Sequence, residues 1–226
     1  PIETWTDYPA FQKTAAILEA RYLAAPTKRA AHNVVAEEVD ECCLVLRQGF
    51  VSNLWTCGWS APTYDAWWQC QSEEASYRHY YRCMQLIGSN EPQRRWLLKN
   101  PGHIDNLDLL FAFFPDAKVI QTHRDPLQLI PSYGSMMYAL THPFSDAADK
   151  AAIARHWCEK WATGMHATMR FRDAGHDDRF LDMWYEDTVS NPLDEIQRLY
   201  DFVDVDLTPD ARAEMGRWRE MNRREA

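Results

Sequence analysis

Beyond Pro92 the chain alternates short apolar runs with helical stretches, at a spacing that few folds accommodate. Arg95 to Lys99 (RWLLK) reads as a short buried strand. Asn100-Pro101-Gly102 turns the chain, and His103 to Phe114 reads as a helix with Leu107, Leu110, Phe111 and Phe114 on one face. Lys118 to Thr122 is the next strand and Leu127 to Leu140 the next helix. Arg179 to Trp184 (RFLDMW) is a third strand, and Asn191-Pro192 and Thr208-Pro209 each carry a helix start signal. Parallel neighbours need a long crossover, normally helical, so this alternation predicts an α/β fold with a parallel sheet flanked by helices. Ligands of such sheets bind at the carboxyl ends of the strands. Those ends carry Lys99-Asn100, Thr122-His123-Arg124 and Tyr185-Glu186-Asp187, all polar directly after apolar runs.

The first part of the chain reads differently. Tyr8 to Ala24, Glu37 to Phe50 and Ser60 to about Ile87 all have helical character. We expect one domain over residues 1–226, mainly helical over 1–90 and built on the parallel sheet over 91–226. With 46% hydrophobic residues, ten Trp, ten Tyr and nine Phe, the chain can fill a core and is not a disordered polypeptide. The formal net charge of −9 is the wrong sign for a general nucleic-acid binder, so any anion must be held by a few placed Arg and Lys residues. The six cysteines form no CxxC pair and no zinc spacing, which fits free thiols in a reducing, cytoplasmic setting. No run approaches the roughly 18 apolar residues of a membrane span.

Within KVIQTHRDPLQLIPS, Arg124 stands where the strand ends, and Ser132 stands eight residues on, inside the helix that Pro126 opens. A guanidinium fork, a hydroxyl and a helix N-terminus make a receptor for a terminal phosphate. Equally, Arg124 could pair with Asp125, and Ser132 could bond back within its own helix.

The wider stretch WLLKNPGHIDNLDLLFAFFPDAKVIQTHRDPLQLIPSYGSM resembles a large, mostly bacterial sulfotransferase family. RFLDMWYEDTVSNPLDEIQRLYDF is similar to its later Tyr-Glu-Asp segment, and AHNVVAEEVDECC and FVSNLWTCGWSAPTYDAWW to its helical part. The combination of FPDA, THRDP and YED makes the resemblance specific, and it covers nearly the whole chain. It implies a P-loop-like fold and transfer of a sulfuryl group from 3′-phosphoadenosine-5′-phosphosulfate (PAPS) to a hydroxyl or amine of a small acceptor, leaving 3′,5′-ADP. It implies that Arg124 and Ser132 hold the 3′-phosphate and that Tyr185 lies near the adenine.

For the acceptor chemistry the resemblance offers Lys99 at its strand end and His103 as base. His32 and Glu41 are rival pocket candidates, because His32 matches a family histidine and other branches use a glutamate. The other reading of His103 is a helix-capping or acceptor-orienting role. The ring-rich stretch from Phe50 to Tyr81 suggests an apolar acceptor pocket, for a lipid, sterol-like, terpenoid or aromatic alcohol. No residue cluster asks for a metal. The expected partner is the small-molecule acceptor, with no nucleic acid, no transmembrane segment and an architecture compatible with a homodimer.

The family's first strand and its Gly-rich phosphosulfate loop are not in this sequence, nor is its C-terminal Gly-rich segment. We therefore expect the 226 residues to belong to a longer polypeptide and to be inactive alone. The alternatives are another P-loop-type transferase such as a small-molecule kinase, or a non-catalytic interaction domain that keeps the fold.

Overall fold

A computed structural model describes residues 2–24, 29, 34–59 and 61–221. The chain forms two compact units. One comprises residues 1–115 and 130–169, the other residues 116–129 and 170–226.

The larger unit is helical. After a 3₁₀ turn at Ile2–Asp7, helix α1 spans Pro9–Ala24. Its buried Tyr22 accepts a hydrogen bond from the Val34 backbone N–H at 2.7 Å. The helix expected from Glu37 to Phe50 shrinks to one turn, α2 (Cys43–Leu46), continued by a 3₁₀ turn at Arg47–Gly49. Glu37, Glu38, Asp40 and Glu41 repel one another, and Val39, fully exposed, offers them no apolar face to bury. Helix α3 (Leu54–Gly58) follows.

The long helix expected from Ser60 to Ile87 is broken into α4 (Pro62–Trp68) and α5 (Glu74–Ile87). Pro62 fits the first turn of α4. The Ser72 hydroxyl accepts from the Glu74 N–H at 3.2 Å, which gives α5 a start of its own. Helix α5 is strongly amphipathic and brings Tyr77, Tyr80 and Met84 into the core beside Leu46, Leu107 and Leu110. Burying side chains of this size contributes about 1.5–3 kcal/mol each.

The strand expected at Arg95–Lys99 does not form: the segment has no regular secondary structure and joins no ladder among the described residues, and Leu97 is 87% exposed. At its end the Lys99 carbonyl accepts from the Cys42 N–H at 2.9 Å. The Asn100 side chain then accepts from the Gly102 N–H at 3.1 Å and caps a 3₁₀ turn, Pro101–Asp105, before α6 (Leu107–Phe113). Gly102 lies against the Asn53 amide so closely that a side chain there would displace Asn53.

Strand β1 (Val119–His123) belongs to the smaller unit. Helix α7 (Pro126–Thr141) starts there and continues in the larger unit, where α8 (Lys150–Phe171) also lies for most of its length. Strand β2 (Phe180–Trp184) pairs in parallel with β1. The register joins Gln121 to Asp182 and His123 to Trp184. Helices α9 (Tyr185–Ser190), α10 (Pro192–Phe202) and α11 (Pro209–Met221) complete the unit. Two of the three expected strands thus form the sheet, with two helices in the crossover.

Candidate functional site

The sheet register determines what stands at its carboxyl end. His123 and Trp184 are the last paired residues, so the next rung would join Arg124 to Tyr185. The Arg124 guanidinium lies 4.4 Å from the centroid of the Tyr185 ring, a cation–π contact. Its Nη2 donates to the Gln128 side chain at 3.3 Å, while its buried Nε has no hydrogen-bond partner among the described residues. No described carboxylate pairs with it. Asp125, the nearest in sequence, instead accepts from the Leu127 N–H at 2.8 Å and caps α7. Ser132 lies in the second turn of α7 with an exposed side chain and no hydrogen bond among the described residues. Ser135 on the same helix does bond back, to the Pro131 carbonyl at 2.9 Å.

The strand end is braced by a second set of charges. Arg172 donates two hydrogen bonds to the Asp182 carboxylate, at 2.8 and 2.7 Å, one to Gln121 at 3.1 Å and one to Asp177 at 2.7 Å. The Asp182 carboxylate also faces His123 Nε2 at 2.6 Å, and the His123 ring stacks on Trp184 at 4.8 Å. Arg172, opposed in part by burial and helped by His123, holds the Asp182 pKa down to about 2. Arg172 thus clamps both strands three rungs below Arg124.

A separate cluster forms in the helical unit. Lys99 and Glu41 make an ion pair, and Glu41 is the better shielded of the two. Burial lowers the Lys99 pKa, against an opposing pull from Asp40. Between these residues and the core sits Cys42, whose thiol donates to the Lys99 carbonyl at 3.0 Å. His103 Nε2 lies 3.7 Å from the Cys42 sulfur, and His103 Nδ1 lies 2.7 Å from the Tyr77 hydroxyl. Burial pushes the His103 pKa down to about 4, so the ring is neutral at physiological pH. Burial also keeps Tyr77 a phenol, well above the usual tyrosine range.

Of the residues singled out in the sequence, Lys99 and Glu41 pair with each other, and Cys42 links the Lys99 backbone carbonyl to the His103 ring. The fourth, His32, lies outside the described residues. Tyr77 and Cys42 are members that sequence reasoning missed, since a buried tyrosine at helical spacing looks like any core residue.

The rings between Phe50 and Trp67 cluster as expected. Phe50 packs against Trp55, Tyr64 and Trp67 at 6.0, 5.5 and 6.0 Å, and Trp55 stacks on Trp59 at 5.4 Å. Phe50 adopts a left-handed φ of 65°, and its carbonyl accepts from the Tyr64 hydroxyl at 2.5 Å. An open cavity of about 430 Å³ is lined by Leu44, Arg47, Gln48, Phe50 and Trp55. Trp68, by contrast, is core, and its indole N–H donates to Glu73 at 3.2 Å.

Glu73 belongs to a buried charge group. It accepts from Asn106 at 3.1 Å, and burial pushes its pKa up to about 7 despite that bond and the nearby Lys160. Lys160 pairs with Asp105 at 2.8 Å, its ammonium 4.4 Å from the Trp68 ring centroid.

A parallel strand pair, a helical crossover and an uncompensated arginine at the strand end are features of α/β proteins that hold an anionic ligand. The chain belongs to the sulfotransferase family, whose sequence pattern it matches over residues 1–209. It is similar to the omega-hydroxy-beta-dihydromenaquinone-9 sulfotransferases Stf3 of Mycobacterium bovis and Mycobacterium tuberculosis. With each it shares 29% identity over 112 residues, covering 46% of this chain and 27% of the relative. The crystal structure of sulfotransferase STF1 from M. tuberculosis superimposes with a TM-score of 0.86 at 31% identity, over 96% of this chain and 59% of that one. That of STF9 from Mycobacterium avium gives a TM-score of 0.80 at 22% identity, over 99% of this chain and 58% of that one, a likeness of fold. The chain thus spans about a quarter of the length of the curated relatives and under two thirds of the solved ones.

Proposed function

We propose that the protein transfers a sulfuryl group from PAPS to the hydroxyl or amine of a small, apolar acceptor. The observation that carries this reading is Arg124. A guanidinium with no carboxylate partner and a buried, unpaired Nε, stacked on a ring at a strand end, suits an anion attached to a flat base. Arg124 is assigned to the 3′-phosphate and Tyr185 to the adenine side. Ser132, whose hydroxyl is free among the described residues, is assigned as a second phosphate donor on the strength of the resemblance.

PAPS, when bound, supplies the activated sulfur–oxygen bond. The protein's own residues bind and orient the nucleotide and manage the acceptor proton. Lys99, Glu41 and His103 are the candidates for that second task, the first two as an ion-paired cation and carboxylate and the third as a neutral imidazole. The open cavity beside Phe50 and Trp55 fits an apolar alcohol, and the Stf3 relatives are named for omega-hydroxy-beta-dihydromenaquinone-9. Among the described residues no helix is long and apolar enough to cross a membrane.

The test is a thermal shift of the full polypeptide with 3′,5′-ADP, PAPS and ATP in turn. Stabilisation by the first two and not by ATP is expected. Stabilisation by ATP alone would reassign the protein to a kinase-like transferase, and no response to any of the three would favour an interaction domain.

A further inference from the structure

The cluster around His103 fixes which of its nitrogens carries the hydrogen. Tyr77 is 1% exposed, and its hydroxyl has one hydrogen-bond partner among the described residues, His103 Nδ1 at 2.7 Å. A buried O–H left without an acceptor costs about 1–3 kcal/mol, so the phenol hydrogen points at Nδ1 and Nδ1 accepts. On the other side of the ring, the Cys42 S–H is already directed to the Lys99 carbonyl at 3.0 Å. The sulfur therefore faces His103 Nε2, 3.7 Å away, with lone pairs only. The Tyr77 side requires a bare Nδ1, so in the neutral ring the hydrogen lies on Nε2, facing the sulfur.

We infer that Tyr77 is a positioning residue that locks His103 as the Nε2–H tautomer, so that His103 presents a hydrogen-bond donor and no lone pair. The ring's neutrality agrees with this, because neither neighbour carries a charge that would favour imidazolium. The consequence for chemistry rests on the sulfuryl-transfer reading. His103 is then excluded as the group that takes the acceptor proton. Glu41, held beside Lys99, is the carboxylate of the cluster left to do so. The tautomer itself rests on no functional reading.

The decisive measurement is nitrogen NMR of the full polypeptide with ¹⁵N-labelled histidine at neutral pH, with His103 assigned by its loss in His103→Gln. A pyrrole-type Nε2 and an imine-type Nδ1 are expected. The reverse pattern would overturn the inference and return a lone pair to Nε2. In Tyr77→Phe the lock is gone, and His103 should populate both tautomers. An unchanged, pure Nε2–H state in that variant would show that Tyr77 does not set it. If Tyr77→Phe fails to fold, the wild-type spectrum still decides. A thermal shift by 3′,5′-ADP can fail without touching this result, so the two readings fall separately.

Discussion

The Arg124 guanidinium lies 4.4 Å from the centroid of the Tyr185 ring, one rung beyond the last paired residues of the sheet. The ring orients the arginine without neutralising it, which a carboxylate would do. Replacing Arg124 by Ala should weaken 3′,5′-ADP binding by about 1.5–3 kcal/mol, the range of hydrogen bonds to a charged group. Replacing it by Lys should recover little, because the planar fork and the stacking are both lost. Calorimetric titration checks this, and unchanged affinity in Arg124→Ala would remove the residue from the site.

Tyr185→Leu should keep the fold and lose the stacking. The expected effect is a smaller loss of affinity, about 0.5–2 kcal/mol, measured by the same titration. A loss as large as that of Arg124→Ala would mean that the ring does more than support the arginine.

The Arg172–Asp182 clamp makes a separate prediction. Asp182→Asn removes a charge that Arg172 and His123 both address. After discounting for its partial exposure, a stability loss of about 1–2 kcal/mol is expected in urea denaturation. The Asp182 pKa is depressed, so its contribution is present above the ordinary carboxylate range and lost as pH falls toward about 2. The variant should therefore unfold less steeply with acid than the wild type.

Glu73 acts in the opposite sense. Its folded-state pKa of about 7 is raised above the unfolded value, so stability is fully present in acid and is lost as pH rises through neutrality. The span corresponds to about 3 kcal/mol. Glu73→Gln keeps an oxygen for Trp68 and Asn106, so its melting temperature should lose this decline between pH 5 and pH 8. A variant that still declines as the wild type does would place the titration elsewhere.

Gly164 stands where a side chain would meet Asp105 at 2.6 Å and Ile104 at 2.8 Å. Gly164→Ala should cost about 1–3 kcal/mol in denaturant unfolding through overpacking beside the Lys160 pair. A neutral result would show that α8 can shift away from Ile104 and Asp105.

The sheet half was the more legible. The run at 118–122 carries three β-branched residues and that at 179–184 two aromatic ones, and each formed its strand within a residue. Arg95–Lys99 looked the same in sequence, but a strand needs a partner edge, and among the described residues it joins no ladder. The acidic stretch before Cys42 mimicked a helix N-terminus and failed because it had nothing to bury. At the site, a polar residue after an apolar run exposed Arg124 and Lys99. Tyr77 and Cys42 stayed hidden, because their part comes from hydrogen bonds across 26 and 57 residues of sequence, to His103 and Lys99 respectively.

The parallel pairing carries a constraint on length. Arg124 and Tyr185 meet only because each follows its strand by the same single step. Deleting or inserting one residue within either strand would leave the guanidinium opposite the wrong neighbour and, in the same stroke, pull Asp182 out of reach of His123. The two strands have to keep count together.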